Sequence, residues 1–109
     1  MTTLLALYRR PDGGPDALVT FERRYRDEHL PLVAQTPGLR ETRVHRVAEA
    51  LGAETDVVIV TTMAFDDRAA LDAGLRSDAM RAAGRTLREI APGLATLLVL
   101  EDAPDLWAG

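Results

Sequence analysis

Val57-Val58-Ile59-Val60-Thr61-Thr62-Met63-Ala64-Phe65, followed at once by Asp66-Asp67, lies at the middle of the 109-residue chain. Its β-branched and apolar side chains predict a strand, and the acidic pair after it predicts the cap of a helix over Arg68–Arg76. Toward the N-terminus, Glu49–Asp56 around Gly52 reads as a hairpin connection from a strand over Leu39–Val47, where polar and apolar residues roughly alternate. Toward the C-terminus, Ser77 with Asp78 starts a further helix to about Ile90. Pro92-Gly93 stops that helix, and Leu94–Glu101 reads as a last strand. At the start of the chain Thr3–Tyr8 is a strand ended by the turn formers Pro11-Asp12-Gly13-Gly14-Pro15. Asp16 is the expected N-cap of a helix in which Leu18, Phe21, Tyr25, His29 and Leu32 recur at three- and four-residue steps. The other side of that helix carries Glu22–Arg26, Arg23–Asp27 and Arg24–Glu28, opposite charges four apart on a solvated face. Pro31 falls inside the helical register and must distort it, because its ring clashes with the carbonyl of Asp27. The helix ends near Thr36-Pro37-Gly38.

The order is strand, helix, strand, strand, helix, strand. This is the split βαβ, ferredoxin-like α+β pattern, with a four-stranded antiparallel sheet and helices on one face. One domain spans residues 1–109, with 102–109 as a tail that holds Trp107. A sheet covered on one side should alternate apolar and polar residues. Yet Leu4-Leu5-Ala6-Leu7, Val57-Val58-Ile59-Val60 and Leu97-Leu98-Val99-Leu100 are apolar on both faces. An uncovered apolar face of several strands is more than soluble monomers usually expose, so the expectation is a homodimer through the sheet face.

Composition narrows the chemistry. The chain has 13 Arg but no Lys, 17 acidic residues, two His and no Cys, with a net charge of −4. Schiff bases through lysine, thiolate nucleophiles, disulfides and thiolate metal sites are therefore excluded. The acidic balance argues against nucleic acid as a partner. No apolar run approaches the ~20 residues needed to span a bilayer, so no membrane partner is expected. Met1–Tyr8 carries no positive n-region and no small-residue cleavage site after it, so no secretory leader is read and a cytoplasmic location is the expectation. The groups able to exchange protons near neutral pH are His29, His45, desolvated carboxylates and, less readily, Tyr8 and Tyr25.

Tyr25-Arg26-Asp27-Glu28-His29-Leu30-Pro31-Leu32, then Thr36-Pro37-Gly38-Leu39-Arg40 and Val44-His45-Arg46-Val47, resemble the EthD family of the dimeric α+β barrel superfamily. The pattern Tyr-x-x-x-His-x-Pro-Leu followed by Pro-Gly-Leu covers about a fifth of the chain. The resemblance implies two ferredoxin-like subunits with facing sheets and a pocket in each protomer. Relatives carry an oxidoreductase label, and some are linked to decarboxylation or dehydration of aromatic polyketides.

His29 is the candidate general acid or base: it shares the apolar stripe with Phe21 and Tyr25, where desolvation would keep its ring neutral at pH 7. Tyr25, one turn earlier, would orient it or donate to a substrate oxygen. Phe21, Pro31 and Leu32 are the expected substrate-binding neighbours, in a pocket between the first helix and the sheet. Arg43 and His45, on one strand face, would suit an anionic or phenolate ligand. The competing reading of these residues is structural: a core imidazole satisfied by a carbonyl, a packed tyrosine, and an edge-strand surface. Arg81, Arg85 and Arg88 read as a solvated helix face, with Arg85–Glu89 as a four-apart pair. Nothing in the spacing joins His29 and His45 into a metal site, and no metal or cofactor is expected. The expected activity is His-assisted proton transfer, such as decarboxylation, dehydration or isomerisation, on a small apolar or aromatic molecule. The alternative is a non-catalytic ligand-binding or partner-stabilising dimeric module.

Overall fold

The computed structural model of the chain describes residues 1–107, so the last two residues of the tail expected over 102–109 lie outside the described residues. The strands are β1 (Thr2–Arg9), β2 (Glu41–Arg46), β3 (Val57–Phe65) and β4 (Ala95–Glu101). The helices are α1 (Gly14–Arg24), α2 (Leu30–Val33), α3 (Arg68–Leu75) and α4 (Asp78–Ile90), with a π-helical segment Tyr25–His29 joining α1 to α2. The sheet is ordered β2-β3-β1-β4 and every pairing is antiparallel, which is the ferredoxin-like arrangement.

Register and burial show which face the helices cover. Leu4, Ala6 and Tyr8 of β1 and Ile59, Thr61, Met63 and Phe65 of β3 are buried against the helical layer. Alternation sends Leu5, Leu7, Val60, Leu98 and Leu100 to the other side, where no helix lies. Leu98 and Leu100 are 43% and 41% exposed. The apolar open face expected from the sequence is therefore present. The core beneath the helices is an aromatic chain: the Tyr8 ring lies 4.9 Å from that of Tyr25 and 6.0 Å from that of Phe21, which is 5.7 Å from Tyr25. Contacts of this kind add about 0.5–1.5 kcal/mol each beyond area burial.

The second and third caps form as their side chains predict. Asp67 accepts from the Ala70 N–H at 2.8 Å and Ser77 from the Met80 N–H at 3.2 Å. The first does not. Gly13 (φ 112°) and Gly14 (φ 79°) make a turn that other residues enter only with strain, so α1 begins ahead of Asp16 and leaves that carboxylate in its first turn. The expected distortion at Pro31 takes a definite form. The Leu30 N–H bonds the Tyr25 carbonyl five residues back, which widens the turn ahead of the proline before helical pairing resumes with Ala34 N–H to Leu30 O at 2.9 Å.

Candidate active site

The π segment is the local device that places a histidine in the interior. Tyr25 and His29 both turn inward from it and are buried, their rings stacked with centroids 5.1 Å apart and planes 25° from parallel. Nδ1 of His29 lies 2.9 Å from the carbonyl oxygen of Ala83 on α4. A carbonyl only accepts, so Nδ1 carries the proton of the neutral ring and donates it. Nε2 is then left as a lone-pair acceptor. Burial holds the His29 pKa below the usual histidine value, and the bond to Ala83 only partly counters it. The imidazole is therefore neutral at pH 7, in the tautomer suited to accept a proton at Nε2.

His29 lines a cavity of about 380 Å³, a size suited to a small organic ligand. Its floor is the helix-facing side of the sheet, with Leu4 and Tyr8 from β1, Met63 from β3 and Leu97 from β4. Val33, Leu75, Met80 and Leu87 close it from the helical side, and Arg81, Gly84, Arg85 and Arg88 of α4 complete the wall. Leu97 is 53% exposed, so the mouth opens between α4 and the outer strand. Among the described residues Nε2 of His29 has no hydrogen-bond partner. The cavity thus joins a largely apolar lining and the arginines of α4 to a buried histidine whose Nε2 is unpaired.

The residues singled out from the sequence fall into three places. His29 lies on the cavity, which is bounded by the sheet and by His29 and Val33 of the first helical stretch, as expected, and on its other side by α4, which was not expected. Tyr25 stands behind the His29 ring, with its hydroxyl 2.6 Å from Thr61 Oγ1 and not directed at the cavity. Burial raises its pKa, so it stays protonated and acts on His29 through stacking. Phe21 is buried in the aromatic core, Pro31 is exposed, and half-buried Leu32 packs on the core; none of the three lines the cavity. Arg43 and His45 pair with Thr62 and Val60 and so face the open side of the sheet, away from His29. There Arg43 is engaged by Glu41 at 2.9 Å. The expected Arg85–Glu89 pair does not form, since Glu89 turns to Arg24 at 3.9 Å.

Tyr8 and the α4 arginines are wall residues that helical periodicity does not single out. For Tyr8 the available signal is the period-two series Leu4, Ala6, Tyr8. Burial pushes its phenol pKa far above the ordinary value, and the adjacent Tyr25 phenol adds to the rise, so Tyr8 can only act protonated.

No protein-family model and no curated protein matches the chain. Among solved structures it is similar to an ethyl tert-butyl ether D (EthD) family protein from Bacillus halodurans. The identity is 30% over 94% of this chain and 99% of that one, with a TM-score of 0.83. It is also similar to a dimeric protein of unknown function and ferredoxin-like fold from Bacteroides fragilis, at 18% identity over 93% and 95% of the two chains and a TM-score of 0.67. A third similar structure is SnoaB, a cofactor-independent oxygenase from Streptomyces nogalater, at 14% identity over 93% and 91% and a TM-score of 0.61. The last two likenesses concern the fold alone.

Proposed function

The chain belongs to the EthD family, and from that premise we propose that it binds a small, largely apolar, aromatic or polyketide-like molecule in the cavity under α4 and moves a proton through Nε2 of His29. The observation that carries this reading is the pairing of Nδ1–H with the Ala83 carbonyl, which leaves the other nitrogen basic at the wall of an apolar chamber. A base in such surroundings removes a proton from an activated carbon or hydroxyl and returns it elsewhere, as decarboxylation, dehydration and isomerisation require. The buried Tyr8 phenol stands on the same wall, kept protonated and paired with the Tyr25 hydroxyl behind it.

The functional form in this proposal is a homodimer. The open sheet face carries Leu5, Leu7, Val60, Leu98 and Leu100, and a second copy covering it removes that surface from water. Structural neighbours are described as dimeric. Because the cavity lies on the opposite side of the sheet, each protomer keeps its own.

The test begins with mass spectrometry of the natively purified protein, which identifies the bound molecule. With that molecule as substrate, His29→Phe lowers turnover by about 10²–10⁴-fold, the usual contribution of a positioned base. Turnover equal to that of the unmodified protein overturns the proposal. The same Nδ1–Ala83 bond favours a second reading, in which His29 only clamps the π segment to α4 in a non-catalytic binding module. That reading predicts unchanged ligand chemistry and a large loss of melting temperature in the same variant.

A further inference from the structure

Six of the 13 arginines, at positions 24, 26, 40, 43, 46 and 68, are held in ion pairs. Arg81, Arg85 and Arg88 are not, among the described residues, although the chain carries an acidic excess. Their spacing of four and three puts all three on one face of α4, where like charges at these steps repel and destabilise the helix. That face borders the cavity. Glu89, the acid that could neutralise Arg85, is engaged by Arg24 instead. Gly84 lies among the three, and a Cβ added there would stand 3.7 Å from Arg88 Nη1, so this guanidinium lies back across the glycine at the cavity wall. Exposed to solvent, the three unneutralised cations form a positive rim beside the apolar chamber that an anion would complement.

Resting on the reading of the cavity as the ligand site, we propose that its ligand is an amphiphilic acid: Arg81, Arg85 and Arg88 take an anionic group, such as a carboxylate, at the mouth, and the apolar body fills the chamber beneath. Guanidinium groups suit this task because their planar N–H forks match carboxylate geometry. The polarity of the chamber fixes the direction of entry. Leu4, Met63 and Leu97 on the floor offer nothing to a charge, and the lone pair of Nε2 repels an anion. The acid head therefore stays outside, and carbon atoms of the body lie closest to Nε2.

Naphthoate and its uncharged amide separate the contributions, with binding measured by calorimetry and the site read from the NMR shifts of the His29 ring. Naphthoate should bind the unmodified protein about tenfold or more tighter than the amide, the scale of one charge-assisted hydrogen bond. Added salt should weaken the acid and not the amide. In the combined variant R81Q/R85Q/R88Q the acid should lose its advantage, so that the two ligands bind alike. Equal binding of the two by the unmodified protein, or a preference that persists in the variant, overturns the proposal; if His29 still shifts, the cavity stays a ligand site. Failure of both ligands to move the His29 resonances removes the cavity reading and this inference with it.

Discussion

Replacing His29 with Phe keeps a ring of similar shape on Tyr25 and deletes both nitrogens. In the folded protein the change removes the Nδ1–H bond to Ala83 O, 2.9 Å long. Such a bond contributes about 0.5–1.5 kcal/mol net. The Ala83 carbonyl is not orphaned, because residue 83 lies inside α4 and keeps its helical donor. The expected loss is therefore about 1 kcal/mol, or about 4–8 °C in melting temperature for a domain of this size. His29→Ala also deletes the buried ring that stacks on Tyr25. Truncations of that kind cost about 3–5 kcal/mol. Calorimetric unfolding of the two variants beside the unmodified protein, with turnover of the captured ligand, separates the contributions. Phe should lie near the unmodified protein in stability and near Ala in turnover. A Phe variant as unstable as the Ala variant, or one that keeps turnover, refutes the reasoning that His29 is a base supported by ring packing.

Leu98→Asp puts a charge on the open sheet face of each copy and should convert a dimer to monomers in light scattering at micromolar concentration; an unchanged dimer contradicts the assigned face. Gly84→Ala relieves the helical cost of glycine and should stabilise α4 by about 0.5–1 kcal/mol in denaturant unfolding, while weakening ligand binding by narrowing the wall. Gly74→Ala should destabilise by about 1–3 kcal/mol, since a Cβ there would meet Phe65 Cε1 at 2.8 Å. The folded pKa of His29 lies below its unfolded value of about 6.5, so below that pH the unfolded chain binds the extra proton. Stability carried by the neutral ring is complete above that pH and falls as pH drops toward the depressed value. The unmodified protein should therefore lose more stability than His29→Phe between pH 7 and 5. Asp27, Glu28 and Asp66, held low mainly by hydrogen bonds from Arg26, Arg24 and Arg40, lose theirs only in more acid solution.

Much of this was legible in the residues because the relevant physics is local. Asp67 and Ser77 cap their helices, Gly52 turns the hairpin between β2 and β3, and two-sided apolar strands announce the open face. Pro31 announces a distortion but not its kind; whether the chain kinks or inserts a wide turn depends on what packs against it, here Tyr25 and His29 held to Thr61 and Ala83. The candidate site was legible only in its histidine. A helical stripe shows which residues turn inward, not which other helix closes the chamber, so α4 stayed out of view. The four-and-three spacing of Arg81, Arg85 and Arg88 reads the same on a solvated face as at a cavity wall. Alternation joins Arg43 to His45 but does not say which side of the sheet they take. Strand pairing decides that, and it puts them opposite the cavity.

The proposed chemistry rests most heavily on the protonation of one ring. Long-range proton–nitrogen NMR on ¹⁵N-histidine-labelled protein, titrated from pH 8 to 5, reads it directly. The His29 ring should show a protonated Nδ1 and a bare Nε2 that takes up a proton only below the ordinary histidine range, with ligand binding shifting Nε2 more than Nδ1. A proton resident on Nε2 at neutral pH, or a ring already doubly protonated there, contradicts it.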